Sequence, residues 1–410
     1  MAIFNSLGSN YTLADAALCL KQLAWPNRQL KIKLSRVLDK HFNGQSVLLY
    51  NGRDAIEYCL EAYGLESGDE VLTQAWSCSS IEEAIVRVGA RAVYFDLAPQ
   101  TVKVKLAQIQ QAYQRSHQAK AIILQGTLGY GDDVIEIAKF CQEKELLLIL
   151  DLAQAVGAQT QDNHPLEALA DAVILSFGRD KILDGLGGGA VIFKTKPKKL
   201  PPVPDWFELS HDLSNKKQVS KLLFYPALTW LIRNSYDLGI GKILHLLVKK
   251  MQLIWTPVKS PHHHYQSMPA YFAPLVLKQF KNLDQQLVHR AKIAEFYRQA
   301  LLDCPRVKVL VNQAEIKLGT NLRFPVQVKG LMVTLLLDYL ASHKIYLQDR
   351  WYRQPVDSGT IQFKSSYQSG LCPEAEKLAQ TAINLPTHRG ISQPKAQKII
   401  NLLKQYLENN

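Results

Sequence analysis

The chain runs to 410 residues, 47% of them apolar and 20% charged, with 22 glycines and 18 prolines. That usage excludes collagen-like, intrinsically disordered and small disulfide-stapled classes, and the length suits two or three domains with a sizeable core. Lys plus Arg (48) against Asp plus Glu (36) leaves a net +12, which invites an anionic partner without choosing among nucleic acid, a phosphorylated substrate and a membrane surface.

The N-terminus, MAIFNSLGSNYTLADAAL, lacks the basic start and apolar run of a signal peptide, and no stretch reaches roughly 18 uninterrupted apolar residues. The six cysteines are scattered without a CxxC, so neither a disulfide framework nor a zinc knuckle is expected. A soluble protein in a reducing cytoplasm is the simplest expectation.

From Val47 to Phe193, short apolar runs alternate with helix-length segments: VLLY, EVLT, AVYFD, AIILQ, LLLILD, AVILSF and AVIF. Strands apolar on both faces and joined by helices predict a mainly parallel, helix-covered sheet. The first turn after VLLY is Asn51-Gly52-Arg53, which opens the predicted helix RDAIEYCLEAYGL. Backbone N–H groups converging at a helix start make a ready phosphate site, although an Asn-Gly turn before a helix also occurs without a ligand. DDVIEIAKFCQEKE reads as another helix, with acids at its start and Val134, Ile137, Ala138 and Cys141 at helical spacing. AVILSF and AVIF stand too close for a crossover helix, so these two are predicted to pair antiparallel.

Residues 195–264 read as an insertion. KTKPKKLPPVP is a linker, and LLFYPALTWLIRNSYDLGIGKILHLLVKKMQLIW is strongly apolar with flanking lysine pairs. Pro226 and the polar step from Arg233 to Asp237 interrupt it, which argues against a spanning helix. Two helices docked on the large domain or across a dimer interface are expected. An amphipathic patch over 203–255 lying on anionic lipid is the alternative. The run His262-His263-His264 reads as loop, because three adjacent histidines do not share a face, and no metal site is expected.

In 265–410, Leu277, Phe280, Leu283, Leu287, Ala291 and Ala294 form the stripe of one long predicted helix. Strands follow near RVKVLV and LRFPVQV, then helices at LMVTLLLDYLASH and SQPKAQKIINLLKQYL, the last with Ser392 as N-cap and Pro394 in its first turn. The expected organisation is a large α/β domain over 1–200, the basic apolar insertion over 201–264 and a smaller α+β domain over 265–410.

The densest chemistry lies between Asp151 and Gly189. An acid ends one apolar strand, Ser176 ends the next, and Lys181 precedes GLGGGA. Strand C-termini of a parallel sheet face the ligand crevice. Read singly, Asp151 could cap a helix and Lys181 could be surface decoration. Together they suit a pyridine cofactor, with the carboxylate keeping a ring nitrogen protonated while the lysine forms an imine. GLGGGA precedes a strand and opens no helix, so it is not a dinucleotide fingerprint.

The ordered motifs Asn-Gly-Arg, Gly-Asp-Glu-Val, Asp-x-Ala-Gln-Ala-x-Gly-Ala, Ser-Phe-x-x-x-Lys and Gly-Gly-Ala-Val resemble the DegT/DnrJ/EryC1/StrS aminotransferases, as does CPEAEKLAQTAINLPTH near the end. The resemblance implies a fold type I pyridoxal 5'-phosphate enzyme that aminates keto-sugars on nucleotide carriers. Lys181 would hold the cofactor and carry the proton, and Asp151 would pair with its ring nitrogen. Gln154 would bond its phenolic oxygen, while the Gly52 and Arg53 amides and the Ser176 hydroxyl would hold its phosphate. An ungapped count places the family's ring-stacking position on Cys78 rather than Trp76. The usual stretch donated across the dimer is not recognisable in HHHYQSMPAYFAPL. Trp351, Tyr352 and Arg353 fall near the substrate mouth, where the two aromatics could equally be core.

The resemblance implies an aminotransferase working as a homodimer, with an amino donor, glutamate by expectation, and a keto-sugar acceptor. A sugar dehydratase on the same site is one alternative, and a non-catalytic protein docking a membrane or partner is another. Nucleic-acid binding is not expected, since no recognition motif accompanies the charge.

Overall fold

The computed structural model describes residues 2–409 except 25–26, 117, 132, 205–212, 252–264, 330–332, 349–350 and 358–362. The histidine run at 262–264 therefore lies outside the described residues. Seven strands form the central sheet: β2 (Gln45–Leu49), β3 (Glu70–Gln74), β4 (Arg91–Phe95), β5 (Ala119–Gln125), β6 (Leu147–Asp151), β7 (Ala172–Ser176) and β8 (Gly189–Phe193). All seven apolar runs of the sequence are strands. Their order is β2-β8-β7-β6-β5-β3-β4, and every pairing is parallel except the two made by β8.

The antiparallel pairing of β7 with β8 is the one expected from their spacing. The inner strands β3 and β8 are buried at all five positions, whereas the edge strands β2 and β4 are open at their starts. Helices α3 (Gly52–Ala62), α4 (Ser80–Arg87), α5 (Leu106–Gln114) and α6 (Val134–Glu143) connect the strands. α6 buries Val134, Ile137, Phe140 and Cys141, the predicted stripe with Phe140 added and Ala138 at its margin. Ahead of the sheet, β1 (Ile3–Phe4) leads to α1 (Leu13–Ala24) and α2 (Gln29–Phe42).

The insertion contains two helices, α7 (Leu213–Ser235) and α8 (Ile240–Lys250). Pro226 lies inside α7, so the helix continues through the proline expected to interrupt it and ends only at the polar step. Packing outweighs the missing N–H bond here. α7 lies along α1, buries Leu222, Leu223 and Ile232, and Arg233 donates to the carbonyls of Leu7 and Tyr11 at 2.8 and 3.0 Å. No helix among the described residues is long and apolar enough to cross a membrane.

The single long helix expected after residue 273 is two: α9 (Ala273–Lys281) and α10 (Leu283–Leu301), parted at Asn282. α10 then buries Leu283, Arg290, Ile293, Ala294, Tyr297 and Leu301. Leu287 and Ala291 are thereby left at the edge of the core. Beyond it come β9 (Val307–Val309), α11 (Gln313–Leu318), β10 (Arg323–Val328), α12 (Val333–Ser342), β11 (Ile345–Tyr346), α13 (Pro373–Thr381), β12 (Ala382–Pro386) and α14 (Gln393–Asn409). β12, β10 and β9 make a small antiparallel sheet, and β1 pairs parallel with β11, tying the chain's start to this part. Thr320 locks the same part to the end of β6, donating its N–H to the Gly129 carbonyl and its hydroxyl to the Gln154 carbonyl, both at 2.7 Å.

Candidate active site

At the carboxyl end of β6, Asp151 is buried. One oxygen accepts from the Ala153 N–H and the other from Gln125 Nε2, each at 3.0 Å. Burial raises its pKa above the usual carboxylate range; the nearby Lys181 charge and the two hydrogen bonds oppose that rise. Lys181, in the loop after β7, is half-buried, with its Nζ 4.9 Å from the ring centroid of Trp351. Arg323, at the start of β10, lies over the same indole with Cζ 5.5 Å from its centroid.

Gln154 is also buried and has both ends occupied. Its Oε1 accepts from the Leu128 N–H and its Nε2 donates to the Tyr352 hydroxyl, each at 2.7 Å. Tyr352 in turn donates to Gln125 Oε1 at 3.2 Å, so Asp151, Gln125, Tyr352 and Gln154 form one chain of hydrogen bonds. Gln154→Ala would strip the buried Leu128 N–H and shorten that chain. A stability loss of about 2–3 kcal/mol is expected, read as a lowered urea midpoint, and an unchanged midpoint would remove Gln154 from this role.

Asn51 caps α3, accepting from the Asp54 N–H at 2.9 Å, so its side chain is committed to the helix. The first-turn N–H groups of Gly52 and Arg53 have no intrahelical acceptor by their position. Gly52 lies against Ser176 at the end of β7: a Cβ added to it would come within 3.0 Å of the serine Cβ. The Arg53 side chain turns away to Glu83, Nε to carboxylate 2.9 Å. Where the glycine run enters β8 the chain packs closely, for a Cβ at Gly189 would fall 2.5 Å from the Asn51 backbone.

Cys78 is half-exposed and bridges to Asp357, whereas Trp76 is fully buried and meets Tyr352 edge-on at 5.9 Å. The aromatic face presented to Lys181 is that of Trp351. Of the three mouth residues, Tyr352 is core, and Arg353 turns back onto Asp357, with its N–H 2.8 Å from the carboxylate.

Sequence reasoning missed Gln125, Arg323 and the insertion's Tyr225, whose ring receives the Arg179 guanidinium at 4.5 Å. Gln125 was readable in principle, since it ends the strand beside β6. Arg323 and Tyr225 carry no local signal.

A buried carboxylate, a lysine and a helix start gathered at the carboxyl edge of a helix-covered parallel sheet define an α/β enzyme of the fold type I class. Residues 31–198 and 263–404 match the DegT/DnrJ/EryC1/StrS aminotransferase family, and the chain belongs to it. It is 26% identical over 361 residues to a pleiotropic regulatory protein of Geobacillus stearothermophilus, covering 87% of this chain and 83% of that one. Over 154 residues it is 31% identical to the dTDP-4-dehydro-2,3,6-trideoxy-D-glucose 4-aminotransferase of Saccharopolyspora spinosa, 38% of this chain and 39% of that one. Its fold is shared with a putative sugar aminotransferase of Streptococcus pneumoniae solved in its PLP form. The TM-score is 0.72 at 19% identity, over 100% of this chain and 99% of that one.

Proposed function

We propose that the protein is a pyridoxal 5'-phosphate-dependent aminotransferase that takes an amino group from glutamate and gives it to a nucleotide-linked keto-sugar. The observation that carries this reading is the buried Asp151 carboxylate at the end of β6, with the Lys181 charge acting on it. The named sugar aminotransferase among the relatives supports the acceptor class.

The residues fit the cofactor. Bare Gly52 leaves the start of α3 open toward Ser176, where a side chain would intrude. When bound, the cofactor supplies an electron sink for a carbanion at the substrate carbon. The Gly52 and Arg53 amides and the Ser176 hydroxyl hold its phosphate at the positive end of α3. Asp151, fixed by Gln125 and the Ala153 N–H, keeps the ring nitrogen protonated. Gln154 Nε2, with one N–H on Tyr352, offers its second to the phenolic oxygen. Lys181 Nζ would hold the cofactor covalently and is the amine placed to hold and move a proton at the substrate carbon. Cys78 lacks the ring that a stacking role needs, and Trp351, whose face meets Lys181 Nζ, is the aromatic available for it.

The reading extends to a homodimer, as the family resemblance implies, working in the cytoplasm. Six free thiols, four of them buried, suit a reducing compartment. Incubating the protein with pyridoxal phosphate and labelled glutamate, without acceptor, is expected to yield about one 2-oxoglutarate per chain, as a two-stage transfer requires. A nucleotide-linked keto-sugar should then make turnover continuous. Absence of the oxo-acid at any glutamate concentration would end the proposal.

A further inference from the structure

Helix α8 exposes the wrong side for a surface helix. Gly241, Leu244 and Val248 face the protein, and a Cβ on Gly241 would lie 2.2 Å from the Ile232 carbonyl, so α8 is clamped backbone to backbone on α7. Leu244 packs with Phe4, Ile232 and Tyr236. The opposite side carries Ile240, Ile243 (62% exposed), Leu246 (68%), Leu247 and Met251, with Leu238 (75%) in the turn before it. At 100° per residue the four helical positions and the C-cap Met251 span an arc of about 140°, with Lys250 inside it at the C-terminal end and Lys242 and Lys249 beyond its edge. An exposed apolar face of this kind marks an interaction site.

Lys242, Lys249 and Lys250 are exposed on the same helix, and Ile240–Lys250 contains no acid. The nearest acid, Asp237, is paired with Lys344 at 3.2 Å. We propose that this face of α8 docks on the surface of an anionic lipid bilayer, apolar side chains in the acyl boundary and lysines at the headgroups. Eleven residues rise about 16 Å, well short of a bilayer core, so the helix lies in the interface plane. A second copy of the chain is the poorer occupant, because a two-fold contact through this face brings the lysines of one copy toward those of the other with no acid on the helix to offset them. The alternative reading of a lipid patch over 203–255 thus narrows, among the described residues, to 238–251. Elsewhere in the charge clusters, Lys194 bonds the Phe42 carbonyl and Lys199 pairs with Glu61 at 3.1 Å. This inference stands independently of the reaction at the active site.

The test is co-sedimentation of the full-length protein with vesicles of phosphatidylcholine, with or without phosphatidylglycerol. Binding is expected only with phosphatidylglycerol, and is weakened by salt. Both Lys249→Glu/Lys250→Glu and Ile243→Glu/Leu246→Glu should lower it about tenfold or more, with circular dichroism unchanged because all four side chains are exposed. No sedimentation with anionic vesicles, or sedimentation indifferent to both variants, overturns the proposal. So does a light-scattering mass that halves in Ile243→Glu/Leu246→Glu without any lipid binding, which gives the face to a second copy.

Discussion

Lys181→Ala is expected to reduce kcat for amino transfer about 10⁴-fold or more, because in the proposed function one side chain would serve as both the covalent anchor of the cofactor and its proton carrier. The variant should also lack the visible absorbance of a lysine-bound cofactor. In the wild type, borohydride reduction should fix one cofactor on the Lys181 peptide, a readout separate from turnover. The fold should be little changed: among the described residues Lys181 approaches the Trp351 ring, a contact worth about 0.5–1 kcal/mol, and its half-buried charge acts on Asp151. Lys181→Arg sharpens the result. It keeps a cation beside Trp351 and opposite Asp151 but has no amine to attack, so it should be as inactive as alanine with stability closer to wild type. Activity surviving in either variant, or borohydride labelling of a different lysine, would remove Lys181 from the chemistry.

The sheet was legible because its strands are buried on both faces and so read as continuous apolar runs, each separated from the next by a helix-length segment. Even the reversal of β8 followed from the short gap after β7. The candidate site was read from places where chemistry and strand ends coincide along one stretch of chain, as at Asp151, Gln154, Ser176 and Lys181. What escaped is what the tertiary fold imports. Tyr352 reaches Gln154 from 198 residues away. Tyr225 comes from an insertion with no motif, and Arg323 begins a strand in the other sheet. The break at Asn282 escaped for a different reason: the backbone N–H of Asn282 still bonds the Lys278 and Gln279 carbonyls, so the apolar stripe shows no gap there. Periodicity reports the face a helix buries and is blind to a change in axis direction that keeps that face inward.

Asp151→Asn is the second variant with a large expected effect, and it separates function from folding. Loss of the anion that the proposed function sets opposite the ring nitrogen would remove one preorganised charge from the site, for which about 10²–10³-fold in kcat is expected. Stability of the cofactor-free protein should move differently. Burial raises the Asp151 pKa in the folded state above its value of about 3.9 in the unfolded chain. Between those two values the folded protein retains a proton that the unfolded chain has released, so this group's contribution to stability falls as pH rises through that window and stays at its lowest above it. Asparagine does not titrate. Its amide does present a donor toward Gln125 Nε2, which costs a hydrogen bond, but that cost is the same at every pH. Urea unfolding of both cofactor-free proteins from about pH 4 upward should therefore show the difference shifting in the variant's favour as pH rises, whatever its starting value. Parallel pH profiles would mean that Asp151 carries no burial penalty as a carboxylate. If wild-type turnover persisted in Asp151→Asn, the ring nitrogen would have to find its charge partner elsewhere. Lost turnover with the predicted slope assigns to Asp151 a charge held at some expense of stability in the empty protein and matched only when a protonated ring stands opposite it.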